Sequence, residues 1–357
     1  MSLPAGYTSR PMVLEDAPLI AEQSAAYTSA LLGFPKHSSE DVANYLRDPG
    51  INLTTDGWVV LAPDGQFAGS ATAVTTNTHV NVDILSDHPA VLHWLLTQAE
   101  HRATDASGRA GTRSPTGPAS SADATRPAGP TSPASSTDVG DLAFSARPAG
   151  AAGGAGELVV RVGVIRQDRL LPEVLLARGF VIGTSVQRMR IGFDGAVAAP
   201  TVPDGVVVRR GAPDEASRRA AHGVLVEAFK EQPGALPRPF EEWVESRESR
   251  STFDWSMVTI VELDGQPVAV TECNDNFVST DNCGYVGRLA VVPAARGRGL
   301  AKFLLRTAFA ADAAAGRDGT ILHVDSSNPT PAVALYTGVG MHPDLISDIW
   351  QRTSRPA

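Results

Sequence analysis

The loop at residues 296–302 combines glycines and basic residues in a spacing suited to anion binding. It leads into an amphipathic segment that stops at Gly316, and it reads Arg296-Gly297-Arg298-Gly299-Leu300-Ala301-Lys302. The N–H groups in the first turn of a helix have no partner within the helix and lie at the positive end of its dipole. Glycines let the backbone approach an anion closely, and arginines add charge and directed donors. The loop therefore predicts a site for phosphate, and most naturally for a diphosphate.

Two other glycine-rich motifs fit this loop less well. A P-loop ends in Gly-Lys-[Ser/Thr], and that triplet does not occur in the chain. A dinucleotide-binding fold needs a third glycine at position 302, where the chain has Lys302, and a turn directly after the strand. A strand, turn and helix that bind no ligand stay open as the structural alternative.

The segments around the loop predict a mixed α/β fold. A strand covers Tyr285–Val292, and 3.6-residue periodicity predicts a helix from about Arg298 to Gly316. A hairpin with strands at Ser256–Leu263 and Pro267–Asn274 precedes this strand. One further strand is predicted at each end of the region, at Val206–Arg209 and at Thr320–Asp325. Four antiparallel strands followed by a helix and a parallel strand are a mixed α/β topology.

A second motif follows the last of these strands, at residues 325–341. Thr330 is predicted to cap a short helix with Pro331 in its first position, and Gly340 to close it. Its succession of Asn, Ala, Leu-Tyr and Gly before a large apolar residue resembles the second hallmark of the GNAT superfamily of acyl-CoA-dependent N-acetyltransferases. The loop resembles the first GNAT signature, [Gln/Arg]-x-x-Gly-x-[Gly/Ala], at Arg296, Gly299 and Ala301.

This resemblance implies an acyl-CoA N-acyltransferase fold and direct acyl transfer, in which an amine attacks the thioester of bound acetyl-CoA without a metal. The amides of residues 296–302 would hold the diphosphate, and Asn328 would contact the pantetheine arm. Tyr336 would be the acid that protonates the leaving thiolate. Pantetheine would pair with the backbone of three residues in the central strand: Leu289, Ala290 and Val291. The implied acceptor is an amine of a small molecule or peptide.

The general base is not identified by the motifs. Members of the family often carry a carboxylate near the start of the central strand, where this chain reads Asn282-Cys283-Gly284-Tyr285. Glu272 on the preceding strand is the best substitute, and Asp275 and Asp281 are weaker ones. An acyl-CoA-binding regulatory or scaffold protein without turnover is the alternative function.

The order of elements in the second half recurs in the first, which predicts two tandem GNAT-like domains. The first domain, residues 1–193, is degenerate, because Ser86-Asp87-His88-Pro89-Ala90-Val91 replaces the glycine-rich loop before a helix predicted to end near Arg102. Residues 104–156 are rich in Ala, Gly, Pro, Ser and Thr and are predicted to be disordered. Residues 194–204 form a linker and residues 205–357 the catalytic domain. Tandem halves with one active copy are also similar to mycothiol synthase, a GNAT relative.

Composition excludes several other classes of protein. The formal net charge is −9, with 30 Lys and Arg against 39 Asp and Glu, which disfavours a nucleic-acid partner. No apolar run approaches the roughly 20 residues of a membrane span, and no leader is evident, so a cytoplasmic location is expected. The two cysteines exclude a disulfide framework, and no Cys/His spacing indicates a metal site. The oligomeric state is left open.

Overall fold

The computed structural model describes residues 2–76, 79–111, 158–230, 238–326 and 332–354. The first half contains β1 Thr8–Pro11, α1 Ala17–Leu32, α2 Ser39–Leu46, α3 Leu53–Asp56, β2 Gly57–Leu61, β3 Phe67–Thr75, β4 His79–Leu85, α4 Pro89–Gly111, β5 Leu158–Ile165, α5 Leu170–Ala177 and β6 Val181–Gly192. The second half contains β7 Val206–Arg210, α6 Glu215–Phe229, α7 Phe240–Glu248, β8 Val258–Leu263, β9 Gln266–Asn274, α8 Val278–Asp281, β10 Cys283–Val291, α9 Leu300–Ala314, β11 Gly319–Asp325, α10 Ala332–Thr337 and β12 His342–Ser354.

The predicted fold class is confirmed, because the strands form a mixed sheet with helices on both faces. β7 to β10 are antiparallel neighbours, and β11 then returns parallel to β10.

The helix predicted to end near Arg102 was too short, since α4 continues to Gly111. Most of the segment predicted to be disordered lies outside the described residues. The strand β12 has no counterpart among the predicted elements.

Within the described residues, a single sheet of 12 strands runs through both halves, in the order β1-β2-β3-β4-β5-β12-β6-β11-β10-β9-β8-β7. The last strand of each half pairs with strands of the other half. β12 lies between β5 and β6 of the first half, and β6 lies between β11 and β12 of the second half. The two halves therefore share a hydrogen-bonded seam.

Helices cover the sheet on both faces. On one face, α4 and α5 pack on apolar residues of β4 and β5, and α9 packs on β10 and β11. On the other face, α6 and α7 pack on β8, β9 and β10. Alternation and register place Glu272 of β9, Tyr285 of β10 and His323 of β11 on this second face. This face carries the polar side chains considered below.

Candidate functional site

The start of α9 is open in the way that the sequence predicts. Gly297 and Gly299 have φ angles of 79° and 78°, and Gly299 is the N-cap residue without any side-chain cap. The first amide with an intrahelical partner is that of Phe303, which donates to the carbonyl of Gly299 at 2.9 Å. A Cβ built at either glycine meets nothing within 4 Å. The amides of residues 300–302 thus have no intrahelical partner and lie at the positive end of the helix dipole.

The basic residues of the loop differ in what they contact. Nε of Arg296 donates to the carbonyl of Val291 at 3.3 Å, and Nη2 donates to the carbonyl of Ala228 at 3.0 Å. The amide of Arg296 donates to Pro293. Arg296 therefore ties the loop to the ends of β10 and α6, which differs from the phosphate contact predicted for it. Arg298 and Lys302 are exposed.

β10 and β11 separate to form a wedge beside the loop. Their parallel pairing extends from Cys283 with Gly319 to Tyr285 with Ile321 and ends there. β10 continues to Val291 paired only with β9, with a register shift between Val286 and Arg288. The stretch of β10 that is not paired with β11 continues to the loop that leads into α9. The predicted backbone contacts at Leu289, Ala290 and Val291 lie on this separated stretch.

Tyr336 lies on α10, which spans Ala332–Thr337. It packs in the cluster that contains Val286 of β10 and Leu322 of β11. Burial raises the pKa of its phenol to about 12. Its hydroxyl makes no hydrogen bond to another described residue. At neutral pH this phenol is protonated and able to donate. Asn328 lies outside the described residues.

Glu272 is buried on β9, with 4% of its surface exposed. Arg247 of α7 donates from Nη2 to Oε2 at 2.8 Å, and Oε1 has no hydrogen-bond partner among the described residues. One oxygen is therefore paired with a guanidinium, and the other is buried without a described hydrogen-bond partner. The weaker candidates are both held by arginines: Asp275 by Arg317, and Asp281 by Arg188 and Arg190.

A pair of residues missed by the sequence analysis lies where β10 and β11 separate. Nδ1 of His323 is 3.2 Å from the hydroxyl of Tyr285, and the ring of Phe277 packs against both. His323 lies two residues beyond the last strand pair, at the narrow end of the wedge. Alternation along β11 predicts which residues share a face with His323. The sequence does not show which face of the sheet lies next to the separated strands, so it does not predict that His323 is close to Tyr285.

The corresponding helix in the first half begins differently. The hydroxyl of Ser86 accepts from the amide of His88 at 3.1 Å, and Nδ1 of His88 accepts from the amide of Ala90 at 3.2 Å. Side chains of the chain itself thus occupy positions that an anion would take. This capping agrees with the interpretation that the first half lacks a phosphate site.

The described part of the chain contains neither a metal-binding cluster nor a membrane-spanning helix. No group of three or more His, Cys, Asp or Glu residues there could hold a metal ion. Within the same residues, no helix has the length and apolar character needed to cross a membrane.

Comparison with known proteins relates the chain to acetyltransferases. Residues 225–341 match the model of the acetyltransferase (GNAT) family. No curated protein matches the sequence. Among solved structures, a GCN5-related N-acetyltransferase from Sphaerobacter thermophilus is similar, with a TM-score of 0.72, 22% identity, and coverage of 100% of this chain and 98% of that chain.

Two other structures share the architecture. A tandem GNAT protein from the clavulanic acid biosynthesis pathway has a TM-score of 0.64 and 14% identity, over 98% of this chain and 99% of that chain. A GCN5-related glucosamine N-acetyltransferase region in a fungal GH3 β-N-acetylglucosaminidase has a TM-score of 0.59 and 12% identity, over 98% of this chain and 38% of that chain. At these identities the likeness concerns the fold.

Residues 225–341 therefore resemble the GNAT acetyltransferase family, and the whole chain has the fold seen in a tandem GNAT protein. This fold supports acyl transfer in general. The likeness to mycothiol synthase stays a prediction.

Proposed function

We propose that the protein transfers an acetyl group from acetyl-CoA to a primary amine of a small molecule or peptide, by direct attack within a ternary complex. The observation that carries the proposal is the uncapped start of α9 at the wide end of the wedge between β10 and β11. An open helix start suits a diphosphate, and an unpaired strand suits an extended amide-containing arm. No metal has a part in the proposed reaction.

The chain's own residues have distinct parts in this proposal. Amides from Gly297 to Lys302 bind the diphosphate, and backbone groups of Leu289–Val291 pair with pantetheine. Arg296 positions the loop through its carbonyl contacts. Tyr336 protonates the leaving sulfur, which its raised pKa suits because the phenol keeps its proton at neutral pH. Oε1 of Glu272 accepts the proton of the amine, directly or through water.

The division of the chain follows from these roles. Residues 205–357 form the catalytic domain, residues 194–204 the linker, and residues 1–193 the degenerate domain. We expect a cytoplasmic location.

Thiol release measured with acetyl-CoA and a panel of primary amines tests the function. An acetyltransferase releases CoA at a rate that depends on the amine. The alternative, a regulatory protein that binds acyl-CoA without turnover, would bind acetyl-CoA in calorimetry and release no thiol with any amine of the panel.

Replacing Tyr336 by phenylalanine should lower kcat by about 10²-fold or more, because the variant lacks the proton donor for the leaving sulfur. Affinity for CoA should stay within about threefold, since the aromatic ring still fills the same apolar cluster. Steady-state kinetics and calorimetry measure the two quantities. Tyr7→Phe in the first half is the matched control. Full activity of Tyr336→Phe would remove the acid role.

Replacing Glu272 by glutamine should lower kcat by about 10²-fold or more, because the amide cannot accept the proton of the amine. Glu262→Gln is the matched control, since Glu262 is also buried on a strand and paired with an arginine, Arg209. Both variants are compared in kcat at a temperature below their unfolding transitions. Unchanged kcat in Glu272→Gln, together with a large loss in His323→Asn, would assign the base to His323 instead.

A further inference from the structure

The first half contains a pocket at its own strand separation. β4 and β5 are paired in parallel from His79 with Val159 to Val82 with Val162, and no pair follows. The pocket opens beyond this point and encloses about 900 Å³ of space, its open mouth included. Residues of α1 and α2 line one side of it, and Ser347 of β12 lies in its wall.

The wall of this pocket is mainly apolar, and it includes the side chains of Met12, Ile20, Val42, Leu46, Ile84 and Leu171. Several of its polar side chains already have partners. The hydroxyl of Tyr27 donates to Oδ2 of Asp168 at 2.6 Å. The hydroxyl of Tyr45 donates to Oδ2 of Asp83, also at 2.6 Å. A mostly apolar cavity with few available polar groups is the usual form of a small-molecule site.

His37 differs from the other polar groups of the wall. It lies between α1 and α2, with 7% of its surface exposed, and its Nδ1 is 3.2 Å from Oγ of Ser24. Nε2 has no hydrogen-bond partner, and in the described part of the chain it is the only buried side-chain nitrogen or oxygen of this wall without one. Buried polar atoms are nearly always hydrogen-bonded. Nε2 therefore indicates a bonding position that a bound molecule would complete.

The ring of His37 is neutral. Burial lowers its pKa well below the ordinary value, and the positive charges of Lys36 and Arg188 and the ring of His323 act in the same direction. In a neutral imidazole one nitrogen donates and the other accepts, and the hydroxyl of Ser24 can complement either kind at Nδ1. Nε2 then takes the opposite part. A hydroxyl group on a ligand can pair with Nε2 in both cases, because it donates and accepts.

The charged groups of the wall disfavour a ligand with a net charge. Lys36 and Asp83 both line the pocket. Burial raises the pKa of Asp83 to about 7, and the positive charge of Lys36 is among the effects that oppose this shift. Above that pH the wall therefore contains a charge of each sign. A cationic ligand would lie near Lys36 and an anionic one near Asp83, and like charges repel strongly where water is largely excluded.

We propose that this pocket binds a neutral, largely apolar molecule with a hydroxyl group, which pairs with Nε2 of His37 while the apolar body contacts the side chains of α1 and α2. This inference goes beyond the proposed function, because the site lies in the half whose helix start is capped by Ser86 and His88. The ligand needs no diphosphate and no acyl group.

Fluorine NMR on the full-length protein at about pH 8 tests the site, with 2-(4-fluorophenyl)ethanol as the probe. The probe should bind the wild type. His37→Phe should weaken it at least threefold, because a ring of similar shape remains but cannot form the hydrogen bond. His101→Phe is the matched control, since His101 is exposed on α4 in the same half and does not line the pocket. Thermal unfolding followed by circular dichroism shows that both variants are folded.

A second measurement needs no variant. 2-Phenylethanol, 2-phenylethylamine and phenylacetate have nearly the same shape and differ in charge, and each is titrated against the bound probe. The alcohol should displace the probe at a concentration at least tenfold lower than either ion. Competition restricts the comparison to the site of the probe, so an amine that binds at an acceptor site in the second half does not affect it.

Three results would each overturn the proposal. The first is no binding of the probe, which would mean that Nε2 of His37 is bonded to water only. The second is undiminished binding in folded His37→Phe, and the third is displacement by either ion as readily as by the alcohol. Failure here is distinct from failure of the transferase proposal, which concerns thiol release.

Discussion

Replacing Gly299 by glutamate should weaken CoA binding at least about a hundredfold. The new side chain has room, since a Cβ at this position meets nothing within 4 Å, but it places a negative charge where the diphosphate would lie. The loss of two charge-assisted hydrogen bonds at about 1.5–3 kcal/mol each corresponds to this factor or more. A glutamate at the positive end of the helix dipole offsets part of the strain of a non-glycine residue at φ 78°, so the effect should mainly concern binding. Calorimetry with CoA measures it.

The matched control for this change is Gly265→Glu. Gly265 lies in the β8–β9 turn with φ 75° and also has open space around a built Cβ. It therefore repeats the backbone strain and the charge at a site away from α9. Full CoA affinity is expected in the control. Equal affinity in Gly299→Glu and wild type would mean that the diphosphate is not bound at the start of α9.

Expressing residues 205–357 without the first half should yield no cooperatively folded protein. β11 would lose its pairing with β6, which extends from Gly319 to Asp325, and β12 would lose both of its neighbours. Domains are stable by only about 5–15 kcal/mol, so the loss of these ladders and of the packing on them exceeds what the fragment can withstand. Thermal unfolding followed by circular dichroism, with size-exclusion chromatography, measures the outcome.

Co-expression of residues 1–204 with residues 205–357 is the control for this experiment. The two fragments contain every described element, and the cut falls before β7, so they should assemble as a one-to-one complex that unfolds cooperatively. A monomeric 205–357 fragment with a cooperative transition and CoA affinity would contradict the importance of the exchanged strands.

The parts of the site that depend on local sequence were predictable. Glycines at 297 and 299 specify positive φ angles, and the periodicity that follows them specifies the helix. The hairpin of β8 and β9 follows from alternation around Asp264-Gly265. The order of four antiparallel strands, a helix and a parallel strand then places the wedge beside the loop.

The features that depend on distant contacts were not predictable in this way. β12 begins with His342 and Pro343 and mixes polar with apolar residues, so its local pattern does not predict a strand. Both of its neighbours come from the other half, and the local sequence does not encode that pairing. The same limit applies to Glu272, whose partner Arg247 lies 25 positions away on α7. The contact of Arg296 with the carbonyl of Ala228 likewise depends on how the end of α6 packs against the loop, which the local sequence does not encode.

The continuous sheet also limits how molecules of this protein can join one another. Its outermost strands are β1, of four residues ending at Pro11, and β7, which carries Arg209 and Arg210. Short strands, proline and exposed charge hinder the addition of a strand from a second molecule. In two separate copies of the fold, the sheet edge that β6 and β12 now cover would be exposed in each copy and open to pairing with another molecule. The duplication thus reduces the risk of fibre growth at high concentration.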